Sequence, residues 1–150
     1  MMNMLGKVLI GIFVLIVVSV VALWGLNTVM EEKYSVKFEL VDVDEAQSIP
    51  SKYAPSYPST PGNKYVLATV TVTNVGSGSI SPSIFWIQLN HNGRLYDASF
   101  VTYEYVGENS FISTTLTPNA SMTFVVVFSV PMNMDGYEVA FAPPSYYSIQ

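Results

Sequence analysis

The apolar positions of this chain fall into two regimes. From Val8 to Leu26 it reads VLIGIFVLIVVSVVALWGL, nineteen residues with no charge. At 1.5 Å per residue such a helix is ~28 Å long, close to the hydrocarbon thickness of a bilayer. Past Met30 the continuous run gives way to alternation, the mark of strands with one buried face. From Tyr34 to Val43, Val36, Phe38 and Leu40 share a face with Lys37 and Glu39 opposite. From Tyr65 to Asn74 the pattern is cleaner, with Val66, Ala68, Val70 and Val72 facing one way and Thr69, Thr71 and Thr73 the other.

Further strands are predicted at Ile84–Asn90, Arg94–Ser99, Phe100–Val106, Phe111–Leu116, Met122–Val130 and Tyr137–Phe141. Asn92-Gly93 supplies the positive φ angles of a tight hairpin, Asp135-Gly136 resembles another turn, and Gly76-Ser77-Gly78 reads as a flexible link. This number of short strands implies an all-β, immunoglobulin-like antiparallel sandwich. The expected organisation is a segment 1–30 carrying a transmembrane helix at about 8–26, then one extracytoplasmic domain at 31–150. Between Asp44 and Asn63 lies a Pro-, Ser- and Tyr-rich stretch whose prolines deny ladder donors. It is expected to be an ordered surface loop, on which Tyr53 and Tyr57 either form a binding surface or cover the sandwich edge.

The apolar run is longer than a usual signal-peptide core, and Ser19–Asn27 offers no clear small-x-small cleavage site, so retention as an anchor is expected. Trp24 suits one membrane interface and Lys7 marks the other end. Lys7 on one side, against Lys33 offset by Glu31 and Glu32 on the other, leans towards a cytoplasmic N-terminus and an exported C-terminal domain. The anchor would make membrane lipid the first partner. A protein partner or self-assembly is the second.

Charge removes several function classes. The formal net charge is -5, and Lys7, Lys33, Lys37, Lys52, Lys64 and Arg94 are scattered, so no basic patch exists to track nucleic acid. With no cysteine, disulfides, thiolate metal sites and thiol nucleophiles are excluded. The single histidine, His91, precedes the Asn92-Gly93 turn, a poor place for a general base and insufficient for a multi-histidine metal site. Asp42, Asp44 and Glu45 are dense enough to raise calcium, but they lack the glycine and ligand series of a calcium loop and read better as a solvated edge. Glu104 and Glu108 have no predicted separation that would assign acid and base roles. No enzyme and no cofactor are therefore expected. Because Phe85 and Trp86 are neighbours in a predicted strand, they should face oppositely, with Phe85 joining Ile87 and Leu89 and Trp86 outward as a contact residue or packed under the proline loop. The sequon Asn119-Ala120-Ser121 makes Asn119 a glycosylation candidate, although such a triplet also arises by chance.

Several segments carry a family likeness: G-N-K-Y-V-L-A-T-V-T-V-T-N from Gly62 to Asn74, N-G-R-L-Y from Asn92 to Tyr96, L-T-P-N-A-S from Leu116 to Ser121, then F-S-V-P and G-Y-E-V-A-F ending at Phe141. In this order, over roughly residues 34–142, the chain resembles the telokin-like, immunoglobulin-fold domain of unknown function found in bacterial and archaeal lipoproteins and membrane-anchored proteins. The resemblance implies an exported β-sandwich used for interaction, with no catalytic residues to transfer. Asn119 stands where the family often has glycine, and asparagine tolerates the left-handed backbone such a turn needs. The reading that follows is a membrane-anchored interaction module, an accessory or structural part of a cell-envelope assembly. The runner-up is a filament subunit with the apolar helix in its core: Gly6-Lys7 before the run resembles the processing region of archaeal type IV pilins, but the acidic residue common near the start of the bacterial pilin helix is missing.

Overall fold

The alternation of Val66, Ala68, Val70 and Val72 makes β2 (Asn63–Asn74) the central strand of the molecule, and all four side chains are completely buried. The computed structural model describes residues 33–150. The expected membrane-spanning stretch at 8–26, with Trp24 and Lys7, lies outside the described residues. Among the described residues no helix is long and apolar enough to cross a membrane.

On one side β2 pairs antiparallel with β1 (Ser35–Ala46), on the other with β5 (Ser121–Pro131). The remaining strands are β3 (Ile87–His91), β4 (Arg94–Asp97), β6 (Glu138–Phe141) and the short β7 (Ser148–Ile149). They form two sheets, ordered β5-β2-β1-β7 and β4-β3-β6. Val36, the four β2 residues, and Phe124, Val126, Phe128 and Val130 of β5 meet Ile87, Leu89 and Trp86 between the sheets. The protein is thus an all-β, two-sheet sandwich.

The two faces of β1 are governed by a bulge. Leu40 pairs with Val70 and Asp42 with Thr69, so Val41 is an extra residue. An unbroken strand that buries Val36 and Phe38 would also turn Asp42 and Asp44 into the core, because side chains repeat every second residue. The bulge reverses that parity. Val43 packs on the core, and Leu40 and Val41 are left exposed. The simple alternation expected through Leu40 therefore ends at Phe38.

Two predicted strands are corrected. Phe100–Tyr103 is a 3-10 helix and 111–116 is irregular apart from a bridge between Leu116 and Ile80. The predicted Ile84–Asn90 strand likewise begins as a 3-10 turn, Ile84–Trp86, capped by Ser83. Around this turn strict alternation fails. Ile84, Trp86 and Ile87 all point inward and Phe85 outward, so Trp86 is only 7% exposed and is not a surface contact. It packs beneath the C-terminal segment, with ring centroids 4.9 Å from Tyr147 and 6.5 Å from Phe38, rather than beneath the proline loop.

At one end of the sandwich Asn74 is fully buried. Its Nδ2 donates to the carbonyls of Gly78 (2.7 Å) and Leu116 (3.0 Å), and its Oδ1 accepts from the Gly76 N–H at 3.0 Å. Its backbone N–H donates to Ala120 O, and its carbonyl accepts from Asn119 N. Asn119 has φ 67°, as its place in the turn requires. Gly76-Ser77-Gly78 is consequently a fixed crossing, not a flexible link: a Cβ on Gly76 would meet the Lys33 carbonyl oxygen at 2.6 Å. β7 completes this end. Gln150 N donates to Val36 O at 2.9 Å, and the Ser35 and Ser148 hydroxyls lie 2.7 Å apart.

At the opposite end Lys64 is buried and forms an ion pair with Glu45 at 2.8 Å, while the Tyr137 hydroxyl donates to the other Glu45 oxygen at 2.8 Å. The Lys64 and Tyr137 hydrogen bonds hold Glu45 below its ordinary value of 4.5. Burial, followed by the bond to Glu45, pushes Tyr137 up to about 12.

Two outcomes are expected. Replacing Asn74 with Ala removes three hydrogen bonds at once, leaving the Gly78 carbonyl without its partner, and should lower unfolding stability by about 2–3 kcal/mol, whereas Thr73→Ala on the water face should cost under about 0.5 kcal/mol, both readable by urea denaturation. The stabilisation linked to Glu45 is complete above pH 4.5 and is lost as pH falls through its depressed folded value. That linked to Tyr137 is complete below pH 10 and is lost as pH rises from 10 through about 12. Thermal melts across pH should show a shallower acid limb in Glu45→Gln and a shallower alkaline limb in Tyr137→Phe.

Candidate functional site

β5 is an edge strand, and an open edge with this many valines would invite strand addition. The segment after β4 closes it. Ser99 N donates to Val127 O at 2.8 Å, Val125 N donates to Asn109 O at 2.8 Å, and the buried Thr102 hydroxyl accepts from Val127 N at 3.0 Å. A 3-10 helix, Phe100–Tyr103, is capped by Ser99 and fastened to the edge by those bonds to Val127. Its inward side carries Val101 and Thr102. Its outward side carries Phe100 and Tyr103, and Phe100 is 72% exposed.

These outward rings belong to a chain of ring contacts that starts in the core, edge-on at every step except the tilted Tyr103–Phe100 pair. Phe124 meets Phe111 at 5.0 Å, Phe111 meets Tyr103 at 5.7 Å, Tyr103 meets Phe100 at 6.4 Å, and Phe100 meets Phe85 at 5.5 Å. The sequence patterning missed Phe100 because it was placed in a strand. The signal was present nonetheless: Ser83 and Ser99 each stand directly before bulky residues and act as N-caps of a 3-10 turn.

The proline loop is ordered, as its composition led one to expect. Ile49 and Ser56 exchange backbone hydrogen bonds of 2.9 Å, and Lys52 N donates to Glu104 O at 3.2 Å. Ile49 enters a second small core with Tyr65, Val125 and Val127, on the sheet face turned away from the main core. The loop therefore covers part of that outer sheet face while leaving Tyr53 and Tyr57 outside, 92% and 67% exposed. Tyr57 and Phe100 border one shallow cavity of about 210 Å³, whose floor includes Tyr65, Val101, Glu104 and Ser129. Tyr53 does not line it.

The acidic group divides. Glu45 belongs to the Lys64–Tyr137 network, while Asp42 and Asp44 line a separate depression of about 390 Å³ with Thr69, Tyr105, Glu108 and Asn109. Burial, with the Glu108 charge second, raises the Tyr105 hydroxyl above its ordinary value. Among the described residues no three His, Cys, Asp or Glu side chains converge to hold a metal ion. Glu104 and Glu108 border different depressions, so the structure does not bring them together in one site. His91 stands beside the hairpin turn, with Asn92 Nδ2 at 3.5 Å from its ring nitrogen. Asn119 is exposed at the Asn74 end of the sandwich.

No curated protein matches the chain. Among solved structures, the ycdA protein of Bacillus subtilis, described as a candidate lipoprotein, is 20% identical and superposes over 77% of this chain with a TM-score of 0.53, which shows a shared fold. The chain covers 34% of that protein, about a third of its length. The yjhA protein of Bacillus subtilis is 18% identical, covering 69% of this chain and 70% of that one with a TM-score of 0.47. A secreted protein of Mycobacterium tuberculosis is 17% identical, covering 71% and 78% with a TM-score of 0.44. The family model described as domain of unknown function DUF4352 matches residues 30–150, more than half of the chain, and the protein belongs to that family.

Proposed function

We propose that this protein is a membrane-anchored, extracytoplasmic interaction module, held by the apolar helix at 8–26 with its N-terminus in the cytoplasm. It serves as an accessory or structural subunit of a cell-envelope assembly and performs no catalysis. The observation that carries the reading is the exposed aromatic face: Phe100 and Tyr103 sit on a 3-10 helix tied to β5 by the Thr102–Val127 hydrogen bonds, with Phe85 packed against Phe100 and Tyr57 across the shallow cavity from it. Rigid aromatic anchors contribute contact area at low entropic cost, and rings of this kind dominate protein interfaces. The candidate-lipoprotein description of the ycdA neighbour supports an envelope location. Against catalysis stand the position of His91 on a hairpin turn and the separation of Glu104 from Glu108.

The same reading takes the sandwich as immunoglobulin-like, in the telokin-like style. Its support is the strand order: β2 and β3 lie in different sheets, β5 returns beside β2, β6 returns beside β3, and β7 runs parallel to β1.

Native extraction of the full chain from its membranes, followed by particle sizing, tests the reading. The expected result is a discrete complex containing a second protein, retained by Leu95→Ser and lost in the double variant Phe100→Ser, Tyr57→Ser. An isolated monomer that binds nothing would sink the interaction role. A chain trimmed near Val8 and running as a helical polymer would replace it with the filament subunit.

A further inference from the structure

The anchor-proximal end of the sandwich has a surface chemistry of its own. Tyr34, the first residue before β1, lies with its ring centroid 5.8 Å from Tyr146 and 5.7 Å from Tyr147, and those two rings are 4.7 Å apart. Tyr147 is seated on Trp86 and holds the group against the core. Tyr146 is 60% exposed, and Val75 and Ile149 at the same end are also largely uncovered. Of the segments that meet at this end, 74–83, 115–123 and 142–150 contain no Asp, Glu, Lys or Arg, and the start of β1 brings only Lys33. The carboxylates Asp44, Glu45, Asp135 and Glu138 gather at the opposite end, around Lys64 and the β3–β4 hairpin.

The length of sequence between the apolar run and Tyr34 limits how far this end can stand from an anchored run. Seven residues, Asn27 to Lys33, separate the last apolar residue of the run, Leu26, from Tyr34. Even fully extended they reach only ~25 Å. We propose that the Tyr34–Tyr146–Tyr147 cluster, with Val75, rests in the headgroup layer of the bilayer and sets the domain upright on its anchor. The inference rests on the anchored reading given above and adds an orientation to it. Tyrosine is suited to this zone because its ring is apolar and its hydroxyl hydrogen-bonds to headgroups and water. The described part of this end carries no carboxylate, so seating it there desolvates no anionic side chain. Lys33 lies over the Tyr34 ring at 5.3 Å, but Glu31 and Glu32 precede it in sequence, so the contact is carried by rings rather than by net charge. It is therefore expected to be indifferent to lipid charge. The upright pose points the 47–62 loop and the β3–β4 hairpin away from the bilayer. Asn119 is brought close to the lipid, so its sequon is expected to remain unmodified.

The absence of native cysteine allows a single fluorophore to be placed at will. The full chain is incorporated into phosphatidylcholine nanodiscs, and separately into nanodiscs containing phosphatidylglycerol, each doped with lipid bearing a headgroup nitroxide. One label is attached through Val75→Cys and another through Asn92→Cys. Quenching is expected to be several-fold stronger at position 75 than at 92 and equal in the two lipids. Adding Tyr146→Ser should reduce it towards the level at 92, with the melting temperature little changed because Tyr146 is exposed. Weak, equal quenching at both positions in a chain that stays with the nanodisc would overturn the orientation while leaving the anchor intact. A label at 75 that is shielded yet unquenched would mean a protein contact instead, and would also overturn it. A glycan found on Asn119 by intact mass of the native protein would do the same. A chain that elutes away from the nanodisc would refute the anchor itself.

Discussion

The end of the sandwich nearest the predicted anchor depends on a single buried amide. Asn74 closes β2 and uses its side chain to hold the β2–β3 crossing and the Leu116–Ala120 turn at once. A buried amide of this kind is favourable only when its donors and acceptor all find partners, and here they do. Because the crossing is fixed, Gly76 and Gly78 can donate to the carbonyls of Ser35 and Lys33, which sets the entry of β1. β7 then pairs beside that entry and brings Tyr146 and Tyr147 onto Tyr34. The geometry of one end of the molecule thus follows from the position of one side chain.

Legibility from the sequence followed the strength of local patterning. β2 and β5 were plain because alternating or continuous apolar residues have only one way to satisfy a core, and the tight turns were plain because Asn92, Gly93, Asn119 and Gly136 take up positive φ. What escaped was every place where alternation breaks for a tertiary reason. The bulge at Val41 leaves no local mark, since it is required only to keep Asp42 and Asp44 out of the core. Trp86 was assigned to the wrong side because a Ser-capped 3-10 turn precedes β3. β7 is two residues long, and its pairing partner is more than a hundred residues away, so no window along the chain contains it.

The candidate site was half legible. Tyr53 and Tyr57, which the sequence left open between a binding surface and a cover for the sandwich edge, are exposed, but the outward rings Phe100 and Tyr103 are presented by a segment that closes the edge of β5. Edge protection and surface display are the same structural event here. Thr102 faces inward to satisfy Val127, and the turn of the 3-10 helix necessarily puts Phe100 outward. The domain accordingly has two distinct chemistries: a tyrosine-rich end beside the proposed anchor, and an aromatic flank with a shallow cavity between Tyr57 and Phe100. An anchored interaction module requires this division, because an end resting on lipid is not free to meet a protein.

Neutron reflectivity from the full chain in a supported bilayer tests that arrangement most directly. β2 is twelve residues long and would stand ~40 Å tall if upright. The account predicts one protein layer of about that thickness beginning within the headgroups and lying on one side of the membrane. A layer separated from the headgroups by a solvent gap, or no bound layer at all, would contradict it.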